Sequence, residues 1–204
     1  MRSLAPAWTI VLLCAVPELA FWGADLGLWG RPDWRATGIE YGGFWSGLLG
    51  NWRPNYAAQP WLMFATYGFL HAGLWHFALN MVTLLSLASP VLARFGAERF
   101  LLIYVASLIG GGVGFALLGP VSAPMVGASG ALFGLAGAIL AVDTDRRASL
   151  GLSIWPVLRV VLLLALLNLV LWWAMHGQLA WQTHLGGFLA GGALAFILPG
   201  RRRP

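Results

Sequence analysis

Five polar side chains sit inside otherwise apolar stretches of this chain: His71, His76, Asn80, Ser129 and His184. A serine hydroxyl becomes a useful nucleophile when a neighbouring base takes its proton, and a neutral imidazole within hydrogen-bond reach is the usual base near neutral pH. Ser129 and His184 suit those two roles. Ser129 closes the stretch Gly127-Ala128-Ser129 and opens an apolar run, which makes it the start of a helix. A helix N-terminus offers unpaired backbone N–H groups and the positive end of the dipole to a developing oxyanion. His76 and Asn80, four residues apart, share one helix face and can offer side-chain donors to the same oxygen, and His71 lies about a turn nearer the helix start. Glu98, Asp143 and Asp145 are assigned to the opposite side of the membrane, and the acids of the first loop to interface or water. The residues therefore predict a Ser–His dyad, with some group other than a carboxylate holding the His184 ring.

Each residue also has a plainer explanation. A Gly-x-Ser-Gly stretch is usually a cap or packing motif, a membrane histidine often bonds helix to helix, and an intramembrane asparagine can be packing glue. The case for chemistry is their coincidence at one depth on three helices. Asn168 and His176 lack such company and are read as structural. Cys14, the single cysteine, reads as a small buried hydrophobe and allows no disulfide framework.

The elements that position these residues follow from composition. Fifty-nine per cent of the 204 residues are hydrophobic and 9% are charged, too few polar groups to cover a soluble globule. A bilayer-spanning helix needs about 20 apolar residues, so one domain over residues 1–204 has room for roughly six. The apolar runs are Ala5–Trp22, Trp61–Leu87, Phe100–Leu118, Ser129–Val142, Trp155–Met175 and Leu179–Leu198. The first follows Met1-Arg2 but has no small-residue cleavage site after it, so it is read as a retained helix.

The net charge is +5, and every basic residue is an arginine. With six spans, Arg2, Arg94, Arg99, Arg146, Arg147 and Arg201–Arg203 share one side, which the positive-inside rule makes the cytoplasm. This pattern determines topology and is no phosphate-binding face, so nucleic acid is not an expected partner. Both termini are expected in the cytoplasm, and small size and short termini suggest a bacterial inner membrane. The first loop, residues 25–60, mixes Arg31, Arg35 and Arg53 with Asp25, Asp33 and Glu40 and is rich in tryptophan, so it is expected to lie in the outer interface.

Depth brings the candidates together. From Ser129 to Val142 a helix covers roughly 20 Å of a hydrocarbon core about 30 Å thick. If Asp143 marks the inner surface, Ser129 starts a short, recessed fourth helix about 10 Å beneath the outer one. His184 is expected roughly 8 to 10 Å below the start of the sixth span near Leu179, with His76 at a comparable level. Non-helical backbone at that depth requires a wet pocket open outward, and hydrolysis requires the same water. Gly130, Gly134 and Gly137 on the fourth span, with Gly187 and Gly191 on the sixth, would let those two helices approach closely.

The stretches His71-Ala-Gly-Leu-Trp-His76-Phe-Ala-Leu-Asn80, Gly127-Ala-Ser129-Gly130 and His184-Leu-Gly-Gly resemble the signature segments of rhomboid proteases, from about Trp61 to the C-terminus. The resemblance implies an all-α, six-transmembrane-helix bundle and an intramembrane serine endopeptidase. Ser129 and His184 would form the catalytic dyad. His76 and Asn80 would join the Ser129 N–H in the oxyanion hole, His71 would be a structural hydrogen-bonding residue, and Gly127, Gly130 and Phe133 would support the site. Phe133 stands where the family often has a tyrosine stacking on the histidine. Where the family often has a Trp-Arg pair before the first histidine, this chain reads Trp61-Leu62, and Trp52-Arg53 lies upstream. Substrates would be transmembrane segments of other proteins, cut near the outer boundary and admitted laterally past the fifth span, which carries Trp172 and Trp173. No metal or cofactor is implied. Two other classes stay open: a catalytically silent, rhomboid-like binder of membrane clients, and a small transporter.

Overall fold

The computed structural model describes residues 3–198. Those residues form eight α-helices and two short 3-10 turns, with no strand among them. The α-helices are α1 (Ala5–Asp25), α2 (Trp34–Gly42), α3 (Gln59–Thr66), α4 (Leu74–Phe95), α5 (Ala97–Leu118), α6 (Ser129–Ser149), α7 (Trp155–Ala174) and α8 (Trp181–Ile197). Of these, α1, α4, α5 and α7 are long and apolar enough to cross a membrane. Helix α6 carries charges in its last two turns, and α8 has 17 residues. Arg2 and Arg201–Arg203, which contribute to the expected orientation, lie outside the described residues.

Four departures from the sequence expectation bear on the site. The expected second span Trp61–Leu87 is broken: α3 ends at Thr66, a 3-10 turn covers Tyr67–Phe69, and α4 begins only at Leu74. Gly73, at φ 144°, occupies a conformation that residues with a side chain rarely adopt, and it turns the chain into α4. His71 thus lies in the break and shares no helix with His76. The expected fourth span Ser129–Val142 begins at Ser129, but the helix runs on to Ser149 and is not short. An Arg147–Asp143 pair at 2.7 Å, four residues apart, and a Thr144 hydroxyl bond to Leu140 O carry it past the apolar part. Helix α8 starts at Trp181 instead of Leu179, so His184 lies in its first turn, about 4.5 Å from the helix start and not 8 to 10 Å. The first loop, expected as an interfacial connection over residues 25–60, contains α2 and is partly built into the bundle. Phe44, Ser46 and Gln59 are buried, and Phe44 exchanges two backbone hydrogen bonds of 2.9 Å with Met125.

Glycines interlock the centre of the bundle. A Cβ on Gly187 would run into the carbonyl of Gly130, and one on Gly191 into that of Gly134. The register advances in step on both helices, so α6 and α8 run parallel in backbone contact. Helix α5 packs antiparallel to α8, Gly110 meeting Gly186 and Ala190 while Gly114 meets Gln182. Close backbone approach gives dispersion contacts that larger residues would prevent, the usual route to helix association where no hydrophobic drive exists. Helix α7 is the exception, with Val157 its one buried residue.

Candidate functional site

Three helix N-termini converge at the site. Ser129 is the first residue of α6, His76 the third of α4 and His184 the fourth of α8. First-turn N–H groups have no intrahelical acceptor, so the region is rich in donors and in positive dipole ends. The parallel packing of α6 and α8 sets their first turns side by side. His184 Nε2 lies 2.9 Å from Ser129 Oγ, and the His184 ring stacks on Phe133, one turn after the serine, at 4.2 Å between centroids and 8° between planes.

The loop before Ser129 is held by main-chain bonds at two points. Met125 pairs with Phe44, and Gly127 N–H donates to Tyr67 O at 2.9 Å. Gly127 has φ 120°, and a Cβ there would stand 2.7 Å from His76 Cε1. Glycine is therefore required on both counts, and the imidazole of His76 rests on the backbone two residues before Ser129. Ala72 N–H approaches His76 Nδ1 at 3.4 Å, an arrangement that leaves the ring proton on Nε2. Asn80 is buried and donates from Nδ2 to His76 O at 2.8 Å, with a second Nδ2 hydrogen still available. Gly130 packs against Thr183 and the Tyr67 hydroxyl, and a Cβ would fill that space.

His71, expected as a structural hydrogen-bonding residue, lies in the break before α4. It is fully buried, and neither ring nitrogen has a hydrogen-bond partner among the described residues. Its ring meets His76 edge-on at 5.2 Å and Phe77 at 5.6 Å. Its hydrogen bond runs through the main chain, where the His71 carbonyl accepts from Arg35 Nη1 at 2.9 Å.

Two polar features escaped the sequence reading. Glu18 lies in α1 with its side chain fully buried, and it accepts two hydrogen bonds from Arg35 of α2 at 2.8 and 3.0 Å. Asp25 takes the remaining face of the guanidinium at 2.7 Å. Burial opposes the charge of Arg35, but the hydrogen bonds and negative charge of Glu18 and Asp25 outweigh it and raise its pKa above the ordinary arginine value. Together with Gln59, whose amide bonds Asn55 N–H and Glu40 O, Arg35 ties down the first loop where Trp61-Leu62 stands in place of a Trp-Arg pair. The second feature is Asn168 of α7, read as structural: its Oδ1 lies 2.5 Å from His184 Nδ1. Both residues met the criterion applied to the others, a polar side chain inside an apolar run.

A cavity of about 470 Å³ opens between α7 and α8, lined by Trp172, Trp181, Leu185 and Phe188, with Asn168 and His184 as its polar members. Among the described residues no group of three or more His, Cys, Asp or Glu side chains is placed to hold a metal ion.

The rhomboid domain family model matches residues 58–201. Rhomboid protease GluP of Bacillus subtilis (strain 168) is 34% identical over 145 residues, covering 70% of this chain and 27% of that protein. Putative rhomboid protease YdcA of the same organism is 29% identical over 153 residues, 75% of each chain. Human Rhomboid-related protein 3 is 28% identical over 158 residues, 72% of this chain and 38% of that one. The chain therefore spans about a quarter and two fifths of the length of GluP and the human protein, and three quarters of YdcA. With several helices apolar and long enough to span a bilayer and a family match over most of its length, this chain is a multi-pass integral membrane protein that belongs to the rhomboid family.

Proposed function

We propose that this protein is an intramembrane serine endopeptidase that cleaves transmembrane segments of other membrane proteins. The observation that carries the reading is the 2.9 Å approach of His184 Nε2 to Ser129 Oγ at the N-terminus of α6. In this mechanism Ser129 Oγ attacks the scissile carbonyl while its proton passes to His184 Nε2. The oxyanion of the tetrahedral intermediate sits against the Ser129 N–H, with His76 Nε2–H and Asn80 Nδ2–H as side-chain donors. His184 then protonates the leaving amine, and water hydrolyses the acyl-enzyme with the same histidine as base.

Helices α1, α4, α5, α6, α7 and α8 serve as the six spans. Arg94, Arg99, Arg146 and Arg147 then share one side, the cytoplasmic side of a bacterial inner membrane, with both termini there. The apolar part of α6, Ser129–Val142, covers roughly 20 Å of a core about 30 Å thick, which recesses the serine in a pocket open to the outer side. Cleavage near the outer boundary follows, and the cavity beside α7 supports lateral admission of substrate.

The test is cleavage of a labelled single-span substrate by the purified protein in liposomes. Wild type is expected to cleave, and Ser129→Ala and His184→Ala to lose at least about a thousandfold. Equal cleavage by all three would refute the reading. A fluorophosphonate probe is expected to label wild type and not Ser129→Ala.

A further inference from the structure

Transfer of the serine proton uses one nitrogen of His184, and the other nitrogen has a partner the mechanism above does not require. Asn168 Oδ1 lies 2.5 Å from Nδ1. Its own helix sets which end of the amide faces the ring, because Asn168 Nδ2 donates to Leu164 O, one turn back, at 2.8 Å. The end left facing His184 is the carbonyl oxygen, which can only accept. Nδ1 must then carry the ring proton, and the lone pair is left on Nε2, facing Ser129. The opposite tautomer would set a lone pair against the Asn168 oxygen and a proton against a serine hydroxyl that has to give one up. Stacking on Phe133 holds the plane of the ring but does not choose between its two nitrogens. Asn168 makes that choice.

We propose that Asn168 is a positioning residue for His184, fixing the Nδ1–H tautomer so that Nε2 faces Ser129 as a base. This inference rests on the proteolytic reading of the Ser129–His184 pair and leaves that pair as the dyad, with Asn168 orienting the base without a carboxylate. The group that orients the base is carried by α7, which buries only Val157 and borders the cavity next to α8. Catalytic competence is thereby linked to the seating of α7 against α8, the same boundary at which a substrate helix would enter.

The test compares Asn168→Leu, close in shape but without an acceptor, with Asn168→Asp, which keeps an oxygen at that place. In liposomes, Asn168→Leu is expected to lower kcat about 10- to 100-fold, the factor for stranding a buried N–H, with KM within about twofold. Asn168→Asp is expected to recover to within about 10-fold of wild type. The rate of Ser129 labelling by a small fluorophosphonate should fall in parallel with kcat, which a residue acting only on substrate admission would not cause. Unchanged kcat and labelling in Asn168→Leu would overturn the proposal, as would a change confined to KM. A measurement on the unmodified chain covers variants that fail to fold. Isotope-labelled histidine NMR, with His184 assigned by its loss in His184→Gln, should show the proton on Nδ1, and a proton on Nε2 overturns the assignment. If wild type cleaves nothing and is not labelled, the protease reading fails, while the NMR result still decides the role of Asn168.

Discussion

Replacing Arg35 by methionine removes the group that joins α1, α2 and the break before α4. The guanidinium makes two bonds of 2.8 and 3.0 Å to Glu18, whose side chain is fully buried, and its own side chain is only 14% exposed. Stranding a buried carboxylate costs about 3–5 kcal/mol, because the desolvation already suffered is no longer compensated. The Asp25 contact adds little, since that carboxylate is 36% exposed and solvent can replace the partner. At about 2–4 °C per kcal/mol for a chain of this size, the melting temperature in detergent should fall by roughly 6–20 °C. The double variant Glu18→Leu with Arg35→Met should regain much of that loss, because apolar replacement of a buried pair is often close to neutral. Activity is expected to fall further than stability implies, even well below the lowered melting temperature. Arg35 also holds the His71 carbonyl, and the chain turns there toward the helix that carries His76. The assay is a thermal melt beside a cleavage rate for wild type, each single variant and the double. An Arg35→Met protein with unchanged melting temperature would refute the buried-pair reasoning. A double variant no more stable than Arg35→Met alone would do the same.

Gly187→Ala should separate α6 from α8, since its Cβ meets the Gly130 carbonyl, and overpacking of this kind costs about 1–3 kcal/mol. Cleavage should drop more than about 10-fold as the Ser129–His184 bond lengthens, whereas Gly192→Ala, whose nearest neighbour would be Gly137 O at 3.5 Å, should leave it near wild type. Equal rates in the two variants would count against the interlock as what sets the dyad distance. His76→Ala and Asn80→Ala should each lower kcat about 10²- to 10³-fold with little change in KM, the signature of a donor used in the transition state. A loss confined to KM would place those side chains in substrate binding instead.

Much of the architecture could be read in the chain because the signals are local. Apolar runs mark α1, α5, α6 and α7 to within a few residues at one or both ends, since length and hydropathy follow from adjacent residues. The glycines at spacings of three and four on α6 and α8 announced a close helix contact for the same reason. The break at His71 was hidden because a window average passes smoothly over Tyr67–Gly73, where apolar residues continue while the backbone leaves the helix. Glu18 was lost to the same averaging, one acid in a run that remains strongly apolar.

By itself, then, the sequence determined a helical membrane chain with a serine at a helix start, histidines on two other helices and small residues where two helices touch. Only the tertiary structure decided which partners those side chains have. The Arg35–Glu18 pair joins residues 17 positions apart, Asn168 and His184 are 16 apart on different helices, and Ser129 and His184 are 55 apart. Such pairs depend on how each helix is rotated and on the depth at which it starts. Rotation and depth are set by packing against neighbours, and no local pattern of residues contains them.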